Sequence, residues 1–198
     1  MKKLIFHSLL LSLTLTSCSL FGISNLENPN YEVALRDNNI EIRSYNATKL
    51  VSTHNQGEFT ESSNNNFRKL FKYISGNNKS EEKISMTSPV FMNLSDLESN
   101  SRQMSFVVPS INLENTPEPS SSEVTITSFP QREVAVISFS GRWEEQSFRD
   151  KERALRNWIN EKGYIAKSEA YAAAYNPPWA IPFLRRNEVH IAIRISDK

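Results

Sequence analysis

The 198-residue chain holds one cysteine, Cys18, and three histidines. A single thiol cannot close an intrachain disulfide, and it excludes zinc and iron–sulfur sites built from several cysteines. Glycine is scarce, with five residues. No glycine-rich phosphate loop, dinucleotide fingerprint, HExxH or GxSxG pattern occurs, so no signature points to an enzyme. Net charge is nearly absent: 23 Lys and Arg stand against 22 Asp and Glu, a formal +1. Phosphate binding needs a clustered basic surface, so a nucleic-acid partner is not expected. After the first 17 residues no apolar run is long enough to cross a bilayer.

The N-terminus differs from the rest. Lys2-Lys3 is followed by an apolar run from Leu4 to Leu15 and then Thr16-Ser17-Cys18, a basic segment, short apolar segment and small-residue cut site that read as an export signal. Leu15-Thr16-Ser17-Cys18 resembles a bacterial lipobox. The resemblance implies a signal peptide at 1–17, removed on export, and a Cys18 lipidated with palmitate-like chains. Each buried CH₂ contributes about 0.8 kcal/mol, so several acyl chains hold a protein at a membrane. By analogy with such lipoproteins, Ser19 favours the outer membrane and a periplasm-facing domain. Losing Lys2 and Lys3 changes the formal charge to −1. An acylated Cys18 leaves no thiol, so packing alone must hold the domain. The Ser-, Asn- and Gly-bearing residues 18–30 read as a tether, and 31–198 as one domain with enough length for a real core.

Within that domain the chain repeats itself. Ile40, Ile42, Tyr45, Leu50, Gly57 and Phe59 have counterparts 84 positions on in Val124, Ile126, Phe129, Val134, Gly141 and Trp143. Repeat one covers 31–111 and repeat two 123–198, joined by a Pro-, Ser- and Glu-rich connection. Alternation predicts strands at Ile40–Arg43 and Val124–Thr127, then at Lys49–Thr53 and Glu133–Phe139. Phe67, Leu70, Phe71 and Ile74 form the stripe of a first helix, capped by Ser62 or Ser63 and ended by Gly76. Phe148, Leu155, Trp158 and Ile159 form that of a second, ended by Gly163. Each helix is expected to lead into a strand with a proline turn, Lys83–Val90 and Ala170–Pro178, with Pro178 matching Pro89. Closing strands follow at Met104–Val108 and Val189–Ile195. Such units cannot bury their sheets alone. The pattern predicts an α+β fold: two tandem pseudo-twofold repeats making a curled antiparallel sheet or distorted β-barrel flanked by two helices.

Three segments carry a family likeness. Ile40-Glu41-Ile42-Arg43-Ser44-Tyr45, Lys83-Ile84-Ser85-Met86-Thr87-Ser88-Pro89-Val90, and Tyr175-Asn176-Pro177-Pro178 with Arg185-Arg186-Asn187-Glu188-Val189 resemble the SOUL haem-binding protein family. The likeness runs from about Tyr31 to Ile195. It implies the same duplicated fold and non-covalent binding of haem or a related tetrapyrrole, with Phe67, Phe71 and Lys72 of the first helix at the haem surface. Some members carry a proposed iron-ligating histidine directly before the first-strand tyrosine. Here that residue is Ser44, so no dedicated axial ligand is implied.

A haem surface needs a broad apolar face and cations for the propionates. Phe67 and Phe71 either face such a ligand or join Leu70 and Ile74 in the core. Met86 offers a thioether or fills a gap, and Tyr175 and Trp179 make an aromatic wall or cover one end of the sheet. Arg185 and Arg186 bind a carboxylate, or Arg186 pairs with Glu188 and holds its loop. His190 shares strand parity with Ala192 and Arg194, which predicts a ring facing solvent or a helix. His54, in a polar run at a strand end, is the better metal candidate. The favoured reading is a membrane-anchored periplasmic haem-binding protein. The alternatives are an envelope module that holds a protein partner, and a small-molecule hydrolase on the duplicated scaffold.

Overall fold

A computed structural model describes residues 26–57, 59–94 and 101–195. Along these run β1 (Tyr31–Asp37), β2 (Ile40–Tyr45), β3 (Thr48–Gln56), α1 (Phe59–Ile74), β4 (Val90–Asn93), β5 (Ser101–Val107), β6 (Val124–Phe129), β7 (Arg132–Phe139), α2 (Glu145–Glu161), β8 (Tyr164–Ala166), β9 (Tyr171–Ala174) and β10 (Asn187–Ile195). Cys18 and the expected signal peptide lie outside the described residues.

All the strands join one antiparallel sheet in the order β1-β2-β7-β10-β9-β4-β5-β3-β6, with β8 added on β10. The order reads as its own image about the β9–β4 seam, which is the expected pseudo-twofold. Ile40 on β2 pairs with Ile137 on β7, and the image pair is Val124 on β6 with Thr53 on β3. Each repeat therefore lends one strand, β2 or β6, to the other. The curled sheet does not close into a barrel. β1 occupies the outer edge of β2, the edge that closure against β6 would need.

One internal match is corrected. Pro89 precedes β4, whereas Pro177 and Pro178 follow β9. The two proline turns thus lie at opposite ends of equivalent strands and are not copies of each other. Residues 83–88 likewise form no strand, which begins only at Val90.

Both helices pack on one face of the sheet. Leu70, Tyr73 and Ile74 of α1 and Phe148, Leu155, Trp158 and Ile159 of α2 join Ile42, Val51, Met92, Phe106, Ala135, Val189 and Ile191 in the main core. Phe148, Leu155 and Ile159 are fully buried, each worth about 1.5–3 kcal/mol relative to exposure. α1 starts at Phe59, so Ser62 and Ser63 lie inside the helix and do not precede it. Gly76 and Gly163 follow their helices with φ of 109° and 75°, a left-handed backbone that a side chain would strain.

Strand alternation sends the other side chains to the helix-free face. There Leu50, Phe91, Val107, Ala173 and Tyr175 cluster, beside a second group of Tyr45, Val134 and Val136. Residues 27–30, expected to be tether, are docked on the domain. The Glu27 carbonyl accepts from the Ser88 N–H at 2.9 Å, and Glu27 Oε1 accepts from the Ser110 N–H at 2.8 Å.

Candidate functional site

The sequence-predicted residues fall in three places. Phe67, Phe71 and Lys72 share the outer surface of α1. With Leu70 and Ile74 turned inward, Phe67 and Phe71 remain 39% and 50% exposed. Their rings stack with centroids 6.0 Å apart, and Phe67 also meets the buried Phe106 edge-on at 5.3 Å. Lys72 is exposed beside them, and the neighbouring Lys69 pairs with Glu123 at 2.6 Å. The stripe is therefore divided: two positions anchor the helix and two present an aromatic ridge with cations around it.

Tyr175 and Arg186 belong to a charge network on the opposite face of the sheet. Its centre is Glu188, with no solvent-exposed surface. Arg43 Nη1 and Nη2 donate to Glu188 Oε2 and Oε1, each at 2.9 Å, a two-pronged fork. Arg186 Nε donates to Oε1 at 2.9 Å, Ser138 Oγ to Oε1 at 3.1 Å, and Tyr175 Oη to Oε2 at 2.9 Å. The Arg186 guanidinium lies over the Tyr175 ring at 3.8 Å from its centroid. Of the two roles open to Arg186, pairing with Glu188 is the one it fills here.

His190 is corrected by the same network. It faces neither solvent nor a helix. The ring is buried on the helix-free face, with Nε2 2.7 Å from Glu188 Oε2 and its plane edge-on to Phe91 at 5.2 Å. Burial lowers its pKa below the ordinary 6.5, against the raising effect of Glu188, and the two guanidiniums lower it further. The imidazole is neutral near pH 7 and donates from Nε2, which leaves Nδ1 as a lone pair. Burial alone would raise the Glu188 pKa. The hydrogen bond from His190 and the fork and charge of Arg43 outweigh it, and the carboxyl stays ionised well below its usual range.

The remaining predicted residues lie apart. Trp179 is 78% exposed at the tip of the loop between β9 and β10. Arg185 holds that loop by donating to the carbonyls of Ala180, at 2.8 Å, and Pro178. Met86 is half-buried against the main core. His54 is exposed on β3 opposite Gln103. Among the described residues no three His, Cys, Asp or Glu side chains are grouped to hold a metal.

Sequence reasoning missed one feature, a pocket of about 230 Å³ on the helix-free face. Its walls include Phe91, Phe129, Tyr171 and His190, with Arg132 and Lys167 as its cations. In the sequence these residues are scattered over five strands and a loop. Arg132 and Lys167 look there like ordinary surface cations, and only strand order brings them together.

A family model described as "SOUL heme-binding protein" matches residues 26–192. The chain belongs to the SOUL family. Heme-binding protein 2 of Mus musculus is 32% identical over 155 residues, covering 75% of each chain. Heme-binding protein 1 of Xenopus laevis is 28% identical over 154 residues, covering 75% of this chain and 80% of that one. SOUL members are binding proteins and not enzymes, which agrees with the lack of a catalytic signature here. Among solved structures, the EcmrR C-terminal domain superposes with a TM-score of 0.60 at 11% identity, over 83% of this chain and 98% of that one. A hydrolase from Listeria innocua gives 0.54 at 8% identity, over 81% and 94%. Likeness at those identities shows the fold alone and lends the hydrolase alternative no chemistry.

Proposed function

We propose that this chain binds haem or a related tetrapyrrole non-covalently, by apolar contact with α1. The observation that carries the reading is the stacked, half-exposed Phe67–Phe71 pair on a helix whose other face is fully packed. The outward faces of these rings remain in solvent, and a flat macrocycle would cover both. Lys72, exposed beside the two rings, would pair with a propionate. Ser44 stands where some members carry a histidine, so affinity is micromolar or weaker, with no dedicated iron ligand.

Haemin titrated into the purified protein tests this. The expected outcome is a shifted Soret band and quenched Trp fluorescence, with Phe71→Ala weakening binding by about tenfold, the order of one lost aromatic contact. Spectra equal to the sum of the unmixed components would sink the proposal. His190→Ala weakening haemin more than Phe71→Ala would move the site to the other face.

The same reading includes a lipid anchor on Cys18 and a periplasm-facing position at the outer membrane, supported by the lipobox resemblance. Labelling growing cells with a palmitate analogue is expected to mark the wild type and not Cys18→Ser. Equal labelling of both would remove the anchor from the reading.

A further inference from the structure

Among the described residues Arg132 has no carboxylate paired with it. Its guanidinium lies 4.3 Å over the Phe129 ring and lines the helix-free pocket. One of its terminal nitrogens, Nη1, is buried with no hydrogen-bond partner. The titratable groups felt by Arg132 are the phenols of Tyr171 and Tyr45, and neither is a carboxylate. The nearest buried carboxylate network cannot serve it, because the Glu188 oxygens are already shared among Arg43, Arg186, Ser138, Tyr175 and His190. Lys167 adds a second positive charge at the rim. A half-buried guanidinium left without a counter-ion is a cost to the folded chain that a bound anion offsets.

We propose that this pocket takes an amphipathic monocarboxylate, with its carboxylate on Arg132 and its aromatic or medium-chain apolar body against Phe91, Phe129 and Tyr171. Size separates the site from the tetrapyrrole surface. A volume of about 230 Å³ lies below the range of roughly 300–1,000 Å³ found for drug-sized ligands, so the pocket admits one short chain or single ring and not a macrocycle. Position separates it too, since α1 packs on the other side of the sheet. His190 lines the wall as a neutral ring and adds no positive charge. Arg132 therefore sets the preference for a single negative charge.

Calorimetry and thermal denaturation with octanoate, octanamide and octylamine test the proposal. Octanoate is expected to bind and raise the melting temperature, at about tenfold or more higher affinity than octanamide, the worth of one charge-assisted pair. Octylamine is expected not to bind. Arg132→Met is expected to lose about tenfold in octanoate affinity, to melt no lower than the wild type, and to leave the haemin titration unchanged. Equal affinity for the acid and the amide, or an unchanged octanoate affinity in R132M, overturns the proposal. If R132M does not fold, the ranking of the three probes on the wild type decides alone. Loss of haemin binding in R132M would instead show that the two sites are one, and the proposal falls.

Discussion

With the Glu188 carboxylate removed, Arg43 and Arg186 would face each other without an anion between them. Arg43 is almost wholly buried, its side chain 3% exposed, and although its Nε keeps Glu41 at 2.6 Å, its buried Nη1 and Nη2 would lose their anion. Glu188→Gln is expected to lower stability by about 3–5 kcal/mol, read as a shift in the denaturation midpoint. A change within about 0.5 kcal/mol would mean the network contributes little. The same residues set an acid sensitivity. His190 and Glu188 both have folded pKa values below their unfolded ones, so each contributes stability that is fully present above its unfolded pKa and lost as pH falls. The loss is expected to begin below about pH 6.5, where the unfolded chain protonates His190 first, and to steepen below about pH 4.5 as unfolded carboxylates follow. Denaturation midpoints across pH 4–8 check this, and a profile flat from pH 7 to 5 would refute the His190 assignment.

At the scale of elements, α1 shows why a hydrophobic stripe is an ambiguous signal. Four apolar positions spaced i, i+3, i+4 and i+7 span more than the width that touches the sheet. Leu70 and Ile74 reach the core, while Phe67 and Phe71 overhang its edge. The periodicity located the helix but could not say where its contact with β3 and β5 ends. β10 teaches the complementary lesson. Its alternation was legible, yet the polar side of that alternation is not solvent. Because the sheet curls, Glu188 and His190 face inward; Glu188 is held by Arg43 and Ser138 on other strands, and His190 by Glu188 itself. The loop between β9 and β10 holds Trp179 and Phe183, 78% and 72% exposed, on a turn clamped by Arg185. Sequence marked that loop as stiff and unusual, and its prolines did not prove to be a copy of the first repeat's turn.

For the whole molecule, the exchange of β2 and β6 between repeats means that neither half can complete its own sheet. Docking of residues 27–30 leaves only residues 19–26 between Cys18 and the domain. Eight residues span at most about 29 Å even when fully extended. An anchor at Cys18 would therefore hold the domain close to the bilayer surface, where a sparingly soluble macrocycle or a fatty carboxylate partitions.

Local pattern was enough for the duplication, both helices, most strands and the α+β class, because period and turn chemistry are properties of neighbouring residues. It was also enough for the family, through segments such as Ile40–Tyr45. Tertiary structure alone decided that the sheet stays open, that His190 and Arg43 are buried around Glu188, and that Arg132 borders a pocket without a counter-ion. These depend on which strands lie side by side, and residues as far apart as Arg43 and Glu188 carry no trace of that adjacency in their own surroundings. Burial of a charge is settled by its partners, and its partners are settled by the fold.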